Sequence, residues 1–232
     1  MIFEHLFPGY EDRLRQAKIF LSQVEDLEGR GEYSELALSR DSSRSLLAKN
    51  YKGFFFVAAY AALEFTVTKC CSEFVSHIKN NGYPLNSLEC NLLAFVLEPE
   101  FQAVYSCKEE DRLKKKASLV RRVYSSETAR VADSSFPGEG MNVGRQQLRD
   151  LWDVMNIPGR PFPERCNGDY LDEIKNNRNA VAHGRETAHD IGRRYTLEEL
   201  GERLEEVKNV CEHVFSSFAQ HVQDEPFLVN RF

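Results

Sequence analysis

Cysteine pairs, phosphate-cradling glycine loops, long apolar runs and an excess of positive charge are all missing from this 232-residue chain. Each absence removes a class of function. Six cysteines are present (Cys70, Cys71, Cys90, Cys107, Cys166 and Cys211), but none forms a Cys-x-x-Cys pair. Neither a zinc knuckle nor a disulfide framework is therefore indicated. Adjacent Cys70 and Cys71 fall on different sides of a helix, and reduced, mostly buried thiols are expected. His77, His213 and His221 lack metal-ligand partners at useful spacing, and there is no nucleophile elbow or acidic cluster, so no cofactor or metal is expected. Thirty Lys and Arg against 36 Asp and Glu give a formal net charge of −6, so contact with nucleic acid has to rest on a local patch. The most apolar stretch, residues 54–63, is too short to span a bilayer and runs into Glu64. The first ten residues carry Glu4, His5 and Pro8 and lack the basic flank and apolar run of a secretory signal. The expectation is a soluble, cytoplasmic protein with no membrane partner.

What the chain does have is helical periodicity almost throughout. Leu14, Ala17, Ile19, Phe20, Leu21 and Val24 recur at helical spacing over residues 10–27, and Gly29 and Gly31 end that segment. Residues 43–80 read as one long helix or two abutting ones, with Gly53 as the weak point. Its middle is apolar on every face, which predicts a central helix enclosed by others. Asn80-Asn81-Gly82 and Pro84 stop it. Shorter helices are predicted over 85–97, 108–125 and 146–155, with a Gly-, Ser- and Pro-rich loop at 134–143. Asp169 is a candidate N-cap for a helix ending at Gly184, and Thr196-x-x-Glu199 is a capping box for a final helix to about residue 221. No alternating strand is visible. The prediction is an all-α, up-and-down helical bundle: one domain over 1–232, its core formed by the first, the long apolar, the 169–184 and the final helices, with a helical insertion at 82–167.

The tightest motif is Lys175-Asn176-Asn177-Arg178-Asn179-Ala180-Val181-Ala182-His183-Gly184. Arginine grips phosphate as a bidentate fork, and histidine is the side chain suited to move protons near neutral pH. RNA supplies its own nucleophile, the 2′-OH, so an arginine, a histidine and a positioning group form a minimal kit for cleaving it. On a regular helix of about 100° per residue Arg178 and His183 lie about 140° apart. They meet at one phosphate only if the helix loosens at its end or if a second chain supplies one of them. Asn179 and His183 are four apart and share a face, which makes Asn179 a candidate to orient the imidazole. The bland alternative is a solvated arginine beside a helix-ending histidine.

The run from Asn177 to Gly184, followed by a short linker and the capped helix from Thr196, closely resembles the signature of HEPN-domain proteins. It looks like their prokaryotic ribonuclease branch, the RiboL-PSP-like and related toxin or defence families. The small-residue run Ala58-Ala59-Tyr60-Ala61-Ala62-Leu63-Glu64 is similar to that family's earlier helix, where an apolar stretch leads into a Glu. The resemblance implies a HEPN-like bundle, a homodimer with two motifs facing across a cleft, and metal-independent endoribonuclease activity leaving 2′,3′-cyclic phosphates. Its catalytic residues carry over to Arg178, Asn179 and His183. It also implies a partner such as an antitoxin or another defence protein. Some HEPN proteins cleave nothing and bind nucleotide, RNA or a second protein, which is the alternative reading.

Four further features are candidates. Glu64, a carboxylate in the most apolar helix, needs a partner and is a candidate support for Arg178 or His183. Residues 108–122 carry seven basic and three acidic residues. Among them Lys114, Lys115, Arg121 and Arg122 form a candidate RNA-backbone track, with Tyr124 as a stacking face, against the default of a solvated helix. Arg185, just past the motif, is a further candidate RNA contact. His189, Arg193 and Arg194 either line the same cleft or belong to a polar linker.

Overall fold

An apolar helix midsection has to be enclosed, and the computed structural model encloses this one; it describes residues 2–29, 38–130, 142–164 and 166–229. Helix α1 (Phe7–Gly29) is followed by α2 (Leu38–Asn81), which is continuous through Gly53. Then come α3 (Cys90–Val96), α4 (Glu98–Ser106), α5 (Glu109–Val123), α6 (Arg145–Val154), α7 (Asp169–Ala182), α8 (Ala188–Gly192) and α9 (Leu197–Asp224). Among the described residues there is no strand, only isolated bridges at Pro84–Thr128 and Leu88–Leu228. Helix α2 packs on α1, α7, α8 and α9. Phe55, Phe56, Ala59, Ala62, Leu63, Cys70, Cys71 and Phe74 are fully buried there, whereas Phe54 and Val57 stay exposed. The enclosure is thus incomplete on one stripe, contrary to the expectation of helices on all sides. Residues Ser42–Asn81 are long and apolar enough to cross a membrane, yet 61% of their most apolar window is buried inside the bundle.

Gly53 does not weaken α2; it admits α8. A Cβ at Gly53 would overlap the Ala188 carbonyl, and one at Gly192 would overlap the Lys49 carbonyl. The two glycines therefore let α8 cross α2 with backbone against backbone. This corrects the reading of residues 185–195 as a linker. Thr187 caps α8 by accepting the Asp190 N–H at 3.1 Å, and Ile191 is fully buried.

Two expectations about the insertion need revision. The single helix expected over 85–97 is a 3-10 turn (Leu85–Ser87) followed by α3, because Leu88 and Glu89 are extended. They are held so by the segment after α9: Glu89 N–H donates to the Phe227 carbonyl at 2.8 Å, and Val229 N–H to the Ser87 carbonyl at 2.7 Å. Tertiary pairing overrides local helical periodicity here. The loop expected at 134–143 lies mostly outside the described residues. Leu85, Leu88, Leu92, Val96, Leu97 and Trp152 from the 82–167 stretch pack in the same buried cluster as α2 and α9.

The capping box is present as expected: Thr196 accepts the Glu199 N–H at 3.2 Å and Glu199 accepts the Thr196 N–H at 2.7 Å. The stripe Leu200, Leu204, Val207, Val210, Cys211, Val214, Phe215 and Phe218 is buried. His221 continues it, 1% exposed, against Phe74 and Phe227, with Nε2 at 2.9 Å from the Met155 carbonyl.

Two stability predictions follow from these contacts. Gly to Ala inside a helix ordinarily stabilises, but Gly53→Ala should cost about 1–3 kcal/mol by overpacking against α8, read as a lowered urea midpoint. Unchanged stability would show that α8 does not dock on Gly53. Burial lowers the His221 imidazole from 6.5 to about 4. The unfolded chain therefore takes up this proton before the folded one does. The His221 contribution is intact above pH 6.5 and is lost as pH falls from 6.5 toward 4, by up to roughly 3 kcal/mol. His221→Gln should flatten that part of the stability–pH curve, and an unchanged slope would exclude it.

Candidate active site at the end of α7

Helix α7 begins differently from expectation: Gly168, at φ +78°, is the N-cap and Asp169 is the first helical residue. The Asp169 N–H is met by Asn167 Oδ1 at 3.2 Å. Gly168 needs that left-handed backbone, and Phe162 packs where a Cβ would stand. The helix is fixed to α9 by Arg203, which is 8% exposed and makes a fork to Glu173, Nε to Oε1 and Nη2 to Oε2, both at 3.1 Å. The Arg203 guanidinium lies over the Tyr170 ring at 4.4 Å.

A second arginine fixes the opposite side of α7 to α2. The Arg178 guanidinium lies over the Tyr60 ring at 3.9 Å and donates from Nη2 to Glu64 Oε1 at 3.1 Å. From Nη1 it donates to Asn179 Oδ1 at 2.8 Å and, at a longer 3.4 Å, to Asn142 Oδ1. The Arg178 side chain keeps 19% exposure, so one edge still meets solvent. Tyr60 is itself 1% exposed, and its hydroxyl accepts the Val143 N–H at 2.7 Å. Burial, then the neighbouring Glu64 carboxylate, push this phenol up to about 12, against the opposing pull of Arg178. It stays protonated at any physiological pH. The strand of chain at 142–145 thus passes directly over the site: Gly144 lies where a Cβ would strike Asp172 and Lys175, and Arg145 N–H donates to Asp172 Oδ1 at 3.1 Å.

His183 sits apart from this cluster. Helix α7 ends at Ala182, and His183 is its C-cap at φ −95°, ψ 5°, rather than the helix running to Gly184. Gly184, at φ +66°, donates to the Val181 carbonyl at 3.1 Å, and Arg185 N–H donates to the Ala180 carbonyl at 2.9 Å. That is a Schellman closure, in which a glycine takes the left-handed position after the last turn. The His183 N–H is held by the Asn179 carbonyl at 3.0 Å, but its ring is exposed, with no hydrogen bond or ion pair among the described residues. Arg178 points onto α2 while His183 leaves the helix end toward solvent. The Asn179 side-chain oxygen binds the guanidinium, not the imidazole it was expected to orient.

The other candidates are dispersed. Arg185 is exposed beside Gly184. Helix α5 packs on α4 and on the 3-10 turn, and no hydrogen bond or ion pair joins it to the Arg178 cluster among the described residues. Lys114 and Arg121 are exposed, but Lys115 donates to the Ala103 carbonyl at 3.1 Å and Arg122 is tied to Glu100 and Glu127. His189 and Arg193 face Asp190, and Arg194 pairs with Glu186. Tyr60 and Asn142 are the members that sequence reasoning missed. Tyr60 carries one usable signal: it stands four residues before Glu64, on the same face of α2.

A scan of family models matches residues 30–220 to the RiboL-PSP-HEPN family. The chain belongs to that family. No curated protein and no solved structure matches it significantly. In this HEPN bundle the end of α7 carries an arginine anchored on α2 and a histidine released from the helix.

Tyr60→Phe separates the two roles of that ring. The stack under Arg178 survives, but the buried Val143 N–H loses its acceptor, so a loss of about 1–3 kcal/mol is expected in urea unfolding. Glu64→Gln should cost less than about 1 kcal/mol, because the Glu64 side chain is 41% exposed and its ion pair is screened. The reverse ranking would mean that the ion pair, not the Tyr60 hydroxyl, holds the strap to the site.

Proposed function

We propose that this HEPN chain is a metal-independent endoribonuclease, acting in the cytoplasm in a bacterial toxin–antitoxin or antiphage defence setting. The observation that carries the reading is the division of labour at the end of α7: Arg178 is pre-positioned by Tyr60, Glu64 and Asn179, while the His183 ring is exposed, with no hydrogen bond or ion pair among the described residues. In the proposed reaction the 2′-OH attacks the adjacent phosphorus and the P–O5′ bond breaks. His183 moves a proton, and Arg178 stabilises charge on the phosphoryl oxygens. The products are a 2′,3′-cyclic phosphate and a 5′-OH. A fixed orientation of donors toward developing charge is what makes such stabilisation effective.

Because Arg178 and His183 diverge within one chain, the site is proposed to be composite, with the arginine of one copy serving the histidine of a second. Induced expression of the native protein should arrest growth and fragment RNA, and His183→Ala should abolish both. Full activity in His183→Ala would sink the proposal. Mixing purified Arg178→Ala and His183→Ala chains tests the composite site. Random pairing restores one intact site to half of the dimers, so about a quarter of native activity should return. No recovery would place both residues of a working site in one chain.

A second reading is favoured by one observation: Glu64, Asn179 and Asn142 already occupy three Arg178 donors. On that reading the surface at Arg178 and His183 binds a nucleotide, RNA or a partner protein without chemistry, and RNA binding survives His183→Ala with no cleavage at any enzyme concentration.

A further inference from the structure

Amphipathic helices on a protein surface normally turn their apolar side inward. Helix α5 keeps a second apolar side facing out. Helical geometry gathers Leu113, Ala117, Val120 and Tyr124 within an arc of about 60°, at the 4-3-4 spacing of a coiled-coil seam. Leu113 is 77% exposed, Val120 56% and Tyr124 73%. Tyr105, on the adjoining α4, is 76% exposed, and these four are the most exposed large hydrophobic residues described. The inward face of α5 is a different one, made by Leu119 and Val123 packing against the core.

Charge borders the outward stripe. Lys114 and Arg121 lie about 80–100° to one side of Leu113 and Lys116 about 60° to the other. All three are exposed, with no ion pair among the described residues. From residue 112 to 126 there are six basic residues and no acidic one, in a chain whose net charge is −6. The stripe is about 17 Å long, three helical turns.

We propose that the outward face of α5 docks an acidic amphipathic helix of a partner protein, whose apolar seam covers Leu113, Val120 and Tyr124 while its carboxylates meet Lys114, Lys116 and Arg121. The 4-3-4 spacing fits a helix laid nearly parallel to α5, as in knobs-into-holes packing. A second copy does not fit. Antiparallel self-pairing that seats Leu113 on the second copy's Tyr124 sets Lys114 beside its Arg121, and parallel pairing sets Lys116 beside its Arg121. Single-stranded RNA fits less well, because Leu113 and Val120 at the centre offer no stacking face, while Lys115 is engaged by the Ala103 carbonyl and Arg122 by Glu100 and Glu127. The inference does not depend on the ribonuclease reading, since α5 makes no hydrogen bond or ion pair to the Arg178 cluster among the described residues.

The probe is a fluorescein-labelled 21-residue peptide with Leu at the two seam positions of each heptad and Glu at the flanking positions. Binding to the full chain is followed by anisotropy. Micromolar binding is expected, weakened at least about tenfold by Leu113→Ser/Val120→Ser and likewise by Lys114→Glu/Arg121→Glu. All four positions are exposed, so thermal midpoints should not move. A scrambled peptide of the same composition should bind at least about tenfold more weakly. Equal binding of the scrambled peptide would reduce the effect to bulk charge and overturn the proposal, as would no binding at all. Tighter binding of a U-rich RNA oligonucleotide, or of vesicles with anionic lipid, that is lost in Leu113→Ser/Val120→Ser would assign this face to RNA or membrane instead and overturn it too.

Discussion

The enclosure of α2 is the constraint from which the rest of the bundle follows. A helix whose middle carries Phe55, Phe56, Ala59, Ala62 and Leu63 with essentially no exposure exists in water only if neighbours cover it. Among the described residues four helices do so, and their places are decided by what α2 offers each of them. Bulky aromatics face α1: Phe20 packs against Tyr51 and Phe54 at centroid distances of 5.8 and 6.5 Å. A bare backbone at Gly53 faces α8. Tyr60 and Glu64 face α7. The site at the end of α7 is thus a by-product of covering the core, since the only polar groups on that part of α2 are the ones that receive Arg178.

Arginine is suited to this position. A guanidinium lying on an aromatic ring keeps its in-plane donors available while its face is desolvated. The same device occurs twice on α7: Arg178 over Tyr60 joins it to α2, and Arg203 over Tyr170 joins it to α9. The two pairs differ in what they leave open. Arg203 is 8% exposed, forked to Glu173 and donating to the Glu199 carbonyl, so it is consumed by packing. Arg178 keeps a solvent edge. One stacked arginine is a rivet and the other a rivet with a free side.

Much of this was readable from the residues. Helical periodicity located the long helices, the Thr196–Glu199 spacing announced a reciprocal cap, and the Arg178–His183 interval showed that the two could not converge on a straight helix. What escaped was whatever depends on contact between distant segments. Tyr60 lies inside an apolar run and reads as core, because nothing local reveals that its hydroxyl meets Val143, 83 positions away. Asn142 sits in loop sequence with no pattern. Gly53 reads as a helix weakness until the Ala188 carbonyl is seen against it. Leu88 keeps helical spacing with its neighbours but is drawn into an extended pairing by Leu228, across 140 residues. Periodicity reports which face is buried, not which partner buries it.

The Schellman closure at Gly184 and the docking of α8 at Gly53 bracket His183 from both sides. Its backbone is hydrogen-bonded to Asn179 on one flank and tied through Gly184, Arg185 and the capped α8 to α2 on the other. Only χ1 and χ2 of the imidazole remain free. Reorientation of that ring is therefore a rotamer event on the picosecond-to-nanosecond scale, not a loop rearrangement on the microsecond scale. The time needed to turn the imidazole at this helix end is set by two torsions.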